Sequence, residues 1–168
     1  MRRQTSAKND ALSPDFIDFI ECLDRHHVDY LLVGGYALAV HGVVRATGDI
    51  DFFYRMTESN VELLCMALED FGAPDNIVDS EALLTPDTVM QFGQSPHRID
   101  LLNTIDGVTF EKAWSGAVEA SIGGLVVRVI GKSDLRTNKL ATGRVRDEED
   151  VRHLELRMPG KVRVRKKR

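Results

Sequence analysis

The sequence predicts an α+β domain, a mixed-sheet α/β arrangement with helices beside a central sheet. Short apolar runs rich in branched and aromatic residues alternate with segments whose apolar residues recur at helical spacing. At 168 residues, with 43% hydrophobic and 29% charged residues, the chain is long enough for one buried core and short for two. We therefore expect a single globular unit.

Each element follows from its local pattern. Ser13-Pro14, followed by apolar residues at helical spacing, predicts a helix over residues 14–27. An apolar run at 30–33, two glycines and residues 36–40 predict a strand, a turn and a short helix. The remaining predicted elements are strands at 49–54, 88–92, 98–103, 117–122 and 125–130, and helices at 59–71, 133–142 and 147–154. Gly123-Gly124 suits a two-residue hairpin turn between the last two strands.

The charge is unevenly distributed along the chain. Residues 157–168 hold seven basic residues and no acid, whereas residues 11–156 hold 12 basic and 25 acidic residues. We therefore expect a domain at 11–156 and a basic C-terminal tail at 157–168. Such a tail is either a solvated segment or a salt-dependent contact for a nucleic-acid backbone, and it carries no sequence specificity.

Cysteine usage and hydropathy favour a cytoplasmic protein. Cys22 and Cys65 lie far apart and form no CxxC pair, so we expect buried, reduced thiols. No run approaches the roughly 18 apolar residues of a membrane span, and no apolar segment follows the basic start. Membrane insertion and secretion are not expected.

Three aspartates lie inside otherwise apolar strands. Asp49 and Asp51 are two residues apart, so both carboxylates project from the same face of a strand, roughly 7 Å apart at Cα. Asp100 is a lone acid in the run Arg98-Ile99-Asp100-Leu101. If the two strands are neighbours, the three carboxylates converge and offer the oxygen ligands that Mg²⁺ prefers. The pattern predicts a site for one or two Mg²⁺ ions.

The Gly34-Gly35 pair stands between a predicted strand and a predicted helix. Glycines at such a turn let backbone amides approach a phosphate at the positive end of a helix. The same pair can also be no more than a tight turn. The acids that follow favour the phosphate-binding interpretation.

These residues carry a family resemblance. Gly34-Gly35-Tyr36-Ala37, His41-Gly42, Arg45, Thr47 and Asp49-Ile50-Asp51 resemble the signature of the polymerase-beta-like nucleotidyltransferase superfamily. The similarity is greatest to small bacterial members, including toxins of toxin–antitoxin and abortive-infection systems. In that superfamily a Gly-Gly or Gly-Ser turn precedes an Asp-x-Asp strand, and a third acid follows on a later strand.

The resemblance implies a nucleotidyltransferase fold and a role for each matching residue. Asp49, Asp51 and Asp100 become the catalytic metal ligands, and Gly34 and Gly35 become the phosphate-binding turn. The implied cofactor is Mg²⁺, and the implied substrate is a nucleoside triphosphate such as ATP.

Two basic residues have two interpretations each. By similarity Lys139 contacts the triphosphate, and the alternative is a solvated lysine on a helix face. Arg45 touches phosphate or pairs with Asp49 or Asp51. The segment from Asp147 to Asp150 also resembles this family, but it is equally an acidic first turn of a helix, which we prefer. His41 is expected to be structural.

Three functions compete at this point. The first is transfer of a nucleoside monophosphate to a hydroxyl of RNA or protein, with a toxin role and a cognate antitoxin as partner. The second is a small-molecule adenylyltransferase that modifies antibiotics, for which the chain looks short. The third is a non-catalytic antitoxin or interaction module. Mutual repulsion in an idle triad of Asp49, Asp51 and Asp100 argues against the third.

Overall fold

The computed structural model describes residues Leu12–Leu156. Within this range helices and strands follow one another in a mixed order that matches the α+β prediction. The elements are α1 (Pro14–Arg25), β1 (Tyr30–Val33), α2 (Gly34–Val40), β2 (Asp49–Tyr54), α3 (Glu58–Phe71), α4 (Ser80–Leu83), β3 (Val89–Phe92), β4 (Arg98–Leu102), α5 (Phe110–Ser115), β5 (Val118–Ile122), β6 (Leu125–Val129), α6 (Lys132–Thr142) and α7 (Val145–Leu156).

The strands form one six-stranded sheet in the order β3-β4-β2-β1-β6-β5. β2 runs parallel to β4, and β1 runs parallel to β6, whereas the other neighbouring pairs are antiparallel. The sheet is therefore mixed, as predicted. Its centre is β2, which lies between β1 and β4 and carries the Asp-x-Asp segment.

Helices cover both faces of the sheet. Side chains alternate along β2, so Phe52 and Phe53 point to opposite faces. The Phe52 ring lies 5.3 Å from that of Phe19 on α1, and the Phe53 ring lies 5.1 Å from that of Phe110 on α5. Ile50 and Phe52 are fully buried, as expected for the core side of this strand. Asp49 and Asp51 therefore share the face of Phe53.

The predicted elements are present with small shifts at their ends. Helix α1 ends at Arg25 rather than at residue 27, because His27 has a left-handed φ of 55° that no helix continues. Helix α3 begins at Glu58, where the Thr57 side chain accepts a hydrogen bond from Asn60 N. The sequence did not predict α4 and α5, whose four and six residues are too short for a clear helical period.

Both cysteines are free, as expected of reduced thiols. Cys22 is buried, but Cys65 is only half-buried, so the predicted burial holds for one of the two. No helix among the described residues is long and apolar enough to cross a membrane. The predicted basic tail at 157–168 lies outside the described residues, and the domain boundary at 11–156 stays a prediction.

Candidate active site

The Gly34-Gly35 turn directly follows β1, forms the first two residues of α2 and packs against the acidic strand. Gly34 has a φ of +69°, and a Cβ at this position would lie only 2.1 Å from Asp51 Oδ2. A Cβ on Gly35 would lie 3.0 Å from the Thr47 side chain. Glycine is therefore needed at 34 both for the backbone conformation and for the contact with the carboxylate. The turn also forms the first residues of α2, so the start of this helix lies beside Asp51.

The three aspartates converge, as the sequence predicted. Asp49 and Asp51 alternate with core residues on β2, and the parallel pairing of β2 with β4 places Asp100 opposite Asp51. One carboxylate oxygen from each residue lies within 4.8 Å of the others. Asp100 is buried, and the other two are partly exposed. This is an all-oxygen cluster of the size that a hard divalent cation fits.

The surroundings disfavour the ionised form of these acids. Burial, followed by the charges of Asp49 and Asp100, raises the pKa of Asp51 to about 8. Burial also raises the pKa of Asp100, although the hydrogen bond from Arg98 opposes that effect. Three carboxylates in one half-buried cluster therefore need positive charge nearby. Raised carboxyl pKa values of this kind are typical of cation-binding and catalytic sites.

Arg98 supplies part of that charge, although no role for it was predicted from the sequence. Its Nε donates to Asp100 Oδ1 at 2.9 Å, and its Nη2 donates to Asp49 Oδ2 at 2.8 Å. Thr47 Oγ1 donates to Asp49 Oδ1 at 3.0 Å, and Gln91 donates to Asp100 Oδ2 at 3.3 Å. The spacing of Arg98 two residues before Asp100 was the signal available, because residues i and i+2 share a strand face.

Lys139 lies in a buried ion-pair network with two aspartates of α7. Its Nζ is 2.9 Å from Asp147 Oδ1 and 3.3 Å from Asp150 Oδ2, and Lys139 itself is 7% exposed. The alternative of a solvated lysine on a helix face is therefore wrong. Asp147 lies in the first turn of α7, as preferred, but both aspartates are buried and paired.

Arg45 joins the same network from the loop before β2. Its Nη2 donates to Asp150 Oδ2 at 3.1 Å, while its buried Nε makes no hydrogen bond despite lying 3.1 Å from Asp150 Oδ1. Of the two interpretations of Arg45, pairing with Asp49 or Asp51 is therefore wrong, because its partner is Asp150. The ion pair joins the loop before β2 to α7, which carries Asp150.

The pKa of Asp147 is lowered, whereas the pKa values of Asp51 and Asp100 in the triad are raised. Burial alone would raise its pKa, but the hydrogen bonds from Thr142 and Lys139 and the charge of Lys139 outweigh burial and leave the pKa below its usual value. Thr142 Oγ1 donates to Asp147 Oδ2 at 2.6 Å. Asp147 is therefore a structural anion whose charge is satisfied within the protein.

The glycine turn, the triad and the ion-pair network lie around one cavity of about 540 Å³. The glycine turn, the triad, Arg98 and the network of Arg45, Lys139 and Asp147 line it, and Arg144 and Arg146 add two further basic side chains. His41 does not line the cavity, and its Nε2 lies 2.8 Å from the carbonyl oxygen of Ile130. It is structural, as expected.

Comparison with solved structures shows the same fold in two other proteins. The lincosamide antibiotic adenylyltransferase LnuA, bound to lincomycin, has a TM-score of 0.51 at 14% identity, covering 89% of this chain and 100% of that one. The antibiotic-resistance factor ANT(2'')-Ia has a TM-score of 0.55 at 16% identity, covering 83% of this chain and 80% of that one. No curated protein sequence gives a match.

Residues 13–168 match a family described as "Nucleotidyl transferase of unknown function (DUF2204)". The match spans the glycine turn, the three aspartates and the helices that carry Lys139 and Asp147. Together with the shared fold, it agrees with the resemblance to the polymerase-beta-like superfamily. The chain belongs to this nucleotidyl transferase family and is a nucleotidyltransferase.

Proposed function

We propose that the protein transfers a nucleoside monophosphate from a nucleoside triphosphate to an acceptor hydroxyl, with Mg²⁺ held by Asp49, Asp51 and Asp100. The observation that carries the proposal is the convergence of three oxygen ligands, with their carboxylates within 4.8 Å, beside a glycine turn. The raised pKa of Asp51 supports it, because burial and the charges of Asp49 and Asp100 disfavour its ionised form, and a bound cation would offset both effects. Bound Mg²⁺ would polarise the phosphoryl oxygens and lower the pKa of the acceptor hydroxyl.

The chemistry is a single displacement at the α-phosphorus. The acceptor oxygen forms a bond to this phosphorus, the bond to the bridging oxygen of the β-phosphate breaks, and pyrophosphate leaves with its electron pair. The hydroxyl proton passes to solvent or to a carboxylate, because the described residues that line the cavity include aspartates and no histidine. Positioning and charge stabilisation supply most of such a rate enhancement.

We assign phosphate binding to the Gly34-Gly35 turn and to the basic wall of the cavity. The turn lies against Asp51, and backbone N–H groups of a glycine turn at the start of a helix can donate hydrogen bonds to a phosphate. Arg45 and Lys139 line the same cavity. Both are engaged with Asp150, so they act on a triphosphate through the charge of the network or after rearrangement of its ion pairs.

Two acceptor classes remain as proposals. RNA or protein suits the open cavity and the basic residues of the tail at 157–168. A small molecule such as an antibiotic is the second candidate. LnuA, whose structure holds lincomycin, is matched over its whole length by 89% of this chain. The objection that this chain is too short for a small-molecule acceptor therefore no longer holds.

The test is label transfer from each of the four α-labelled nucleoside triphosphates. The acceptors are total cellular RNA, total protein, the chain itself and a panel of lincosamides and aminoglycosides. We expect transfer to one acceptor class that requires Mg²⁺ and is lost in Asp51→Asn. Asp106→Asn is the matched control, because Asp106 lines the same cavity outside the triad. Transfer that survives in Asp51→Asn, or its absence from every acceptor class, contradicts the proposal.

The biological context is proposed from the resemblance of the Gly34 to Asp51 segment to toxin components. We place the protein in the cytoplasm, with a cognate antitoxin as partner. Expression should then arrest growth, and Asp51→Asn should not. Equal growth of both strains refutes the toxin role without touching the enzymatic proposal.

A further inference from the structure

Four charged residues form a compact square on one face of the sheet. The parallel register of β2 and β4 pairs Asp49 with Arg98 and Asp51 with Asp100. Since residues i and i+2 share a face, all four side chains project to the same side. Three of them are acids and one is a base. Arg98 is thus the cation that the sheet itself builds into the acidic cluster.

The hydrogen bonds of Arg98 span the cluster. Nε and Nη2 grip Asp100 as a fork, at 2.9 Å to Oδ1 and 3.1 Å to Oδ2, whereas Nη2 alone reaches Asp49 Oδ2 at 2.8 Å. Thr47 holds the other oxygen of Asp49. All four carboxylate oxygens of Asp49 and Asp100 therefore already accept a bond from a protein side chain.

We propose that Arg98 is the resident counter-ion of the metal-free triad and that it releases Asp49 when a divalent cation binds there. The contact with Asp49 is the one that breaks, because it is a single hydrogen bond from Nη2, and Nη2 also donates to Asp100. The Arg98 side chain is 36% exposed and lines the cavity, so it has room to turn. This inference rests on the proposed role of the triad as the metal site.

The proposal gives Arg98 two effects. Before metal binding it offsets the repulsion among the three carboxylates, and therefore stabilises the metal-free fold. During metal binding it competes for Asp49 Oδ2, and therefore weakens the affinity for the metal. A residue that only oriented the carboxylates would do the reverse, since its loss would weaken metal binding.

The experiment is a titration of the full-length, nucleotide-free protein with Mn²⁺, in which the free ion is measured by electron paramagnetic resonance. We expect Arg98→Met to bind Mn²⁺ roughly tenfold more tightly than the wild type. In the presence of EDTA the same variant should melt at a lower temperature, and Mn²⁺ should restore the loss. Arg144→Met removes the same charge from the same cavity without a contact to the triad, and should change the affinity less than about twofold.

The outcomes separate this inference from the function on which it rests. Unchanged or weaker Mn²⁺ binding by Arg98→Met overturns the role of Arg98 alone, as does equal tightening in Arg144→Met. If Arg98→Met does not fold, Arg98→Lys decides. A lysine keeps the charge and loses the fork, so intermediate tightening supports the proposal and wild-type affinity overturns it. A wild-type protein that binds no Mn²⁺ overturns the metal role of the triad, and this inference with it.

Discussion

Replacing Gly34 by alanine tests whether the site needs the close approach of the turn to Asp51. The new Cβ would lie 2.1 Å from Asp51 Oδ2, and ordinary contact begins at 3.4 Å, so the carboxylate or the turn must move by about 1.3 Å, the difference between these distances. Misplacing a reacting group by about 1 Å lowers rates by about 100-fold. We expect Gly34→Ala to lose about that factor in kcat.

The matched control is Gly72→Ala. Gly72 follows α3 with a φ of +84°, but nothing lies within 4 Å of a Cβ placed there. Both variants bear the cost of alanine in the left-handed region, about 1 to 2 kcal/mol in free energy of unfolding. Only Gly34→Ala also displaces Asp51. The excess loss of activity in Gly34→Ala therefore reports the contact with the carboxylate.

The assay combines urea unfolding with Mg²⁺-dependent label transfer at saturating nucleotide. A fall in kcat for Gly34→Ala that exceeds the fall for Gly72→Ala by an order of magnitude or more supports the geometry. Equal activity of the two folded variants refutes the reasoning, because the turn would then not position Asp51.

The other predictions concern charge. Because the pKa of Asp51 is raised to about 8 without metal, Mg²⁺ binding at pH 7 should release protons, measured by calorimetry in buffers of different ionisation enthalpy; no release contradicts the raised pKa. Lys139→Met, which leaves Asp147 with one fewer partner, should cost about 3 to 5 kcal/mol in urea unfolding. Arg136→Met, on the same helix but in an exposed pair, should cost about 1 kcal/mol or less, and equal losses would show that burial is unimportant. Since the pKa of Asp147 is lowered by folding, its ionised form stabilises the protein above the unfolded pKa of about 3.9, and this contribution disappears as the pH falls through the folded value. The stability difference between wild type and Asp147→Asn should therefore shrink from pH 7 to pH 3, and a constant difference would exclude this role.

The linkage of Asp51 has the opposite sign. Its folded pKa lies above the unfolded value, so between about pH 4 and pH 8 the native state holds a proton that the unfolded chain has lost. The metal-free protein therefore becomes less stable as the pH rises through this window. Bound metal removes the loss, because it takes the place of the proton.

Local patterns identified the three aspartates of the triad but not the strand pairing that brings them together. The spacing of Asp49 and Asp51 fixes a shared face, and Asp100 stands out as an acid between apolar residues. The structure adds the register, which sets Asp100 opposite Asp51. Which strands are neighbours depends on the packing of the whole sheet. From the sequence alone, the convergence of the three carboxylates therefore depended on the assumption that β2 and β4 pair.

The basic residues were harder to predict because their partners are distant in the chain. Arg45 pairs with Asp150 of α7, 105 residues later in the chain. Lys139 is eight residues from Asp147, but the two approach each other only because the chain reverses between the helices. Propensity and spacing describe each helix, whereas the ion pairs depend on how the helices pack.

The most direct measurement is a crystal structure of the protein grown with Mn²⁺ and a non-hydrolysable nucleoside triphosphate, with the ion located by anomalous scattering. We predict a peak about 2 Å from carboxylate oxygens of Asp49 and Asp51, with Asp100 beside it and phosphate oxygens completing the ligands. Triphosphate density should reach the Gly34-Gly35 turn. A fully loaded crystal in which the ion lies elsewhere, with Arg98 still bonded to Asp49, would contradict the account.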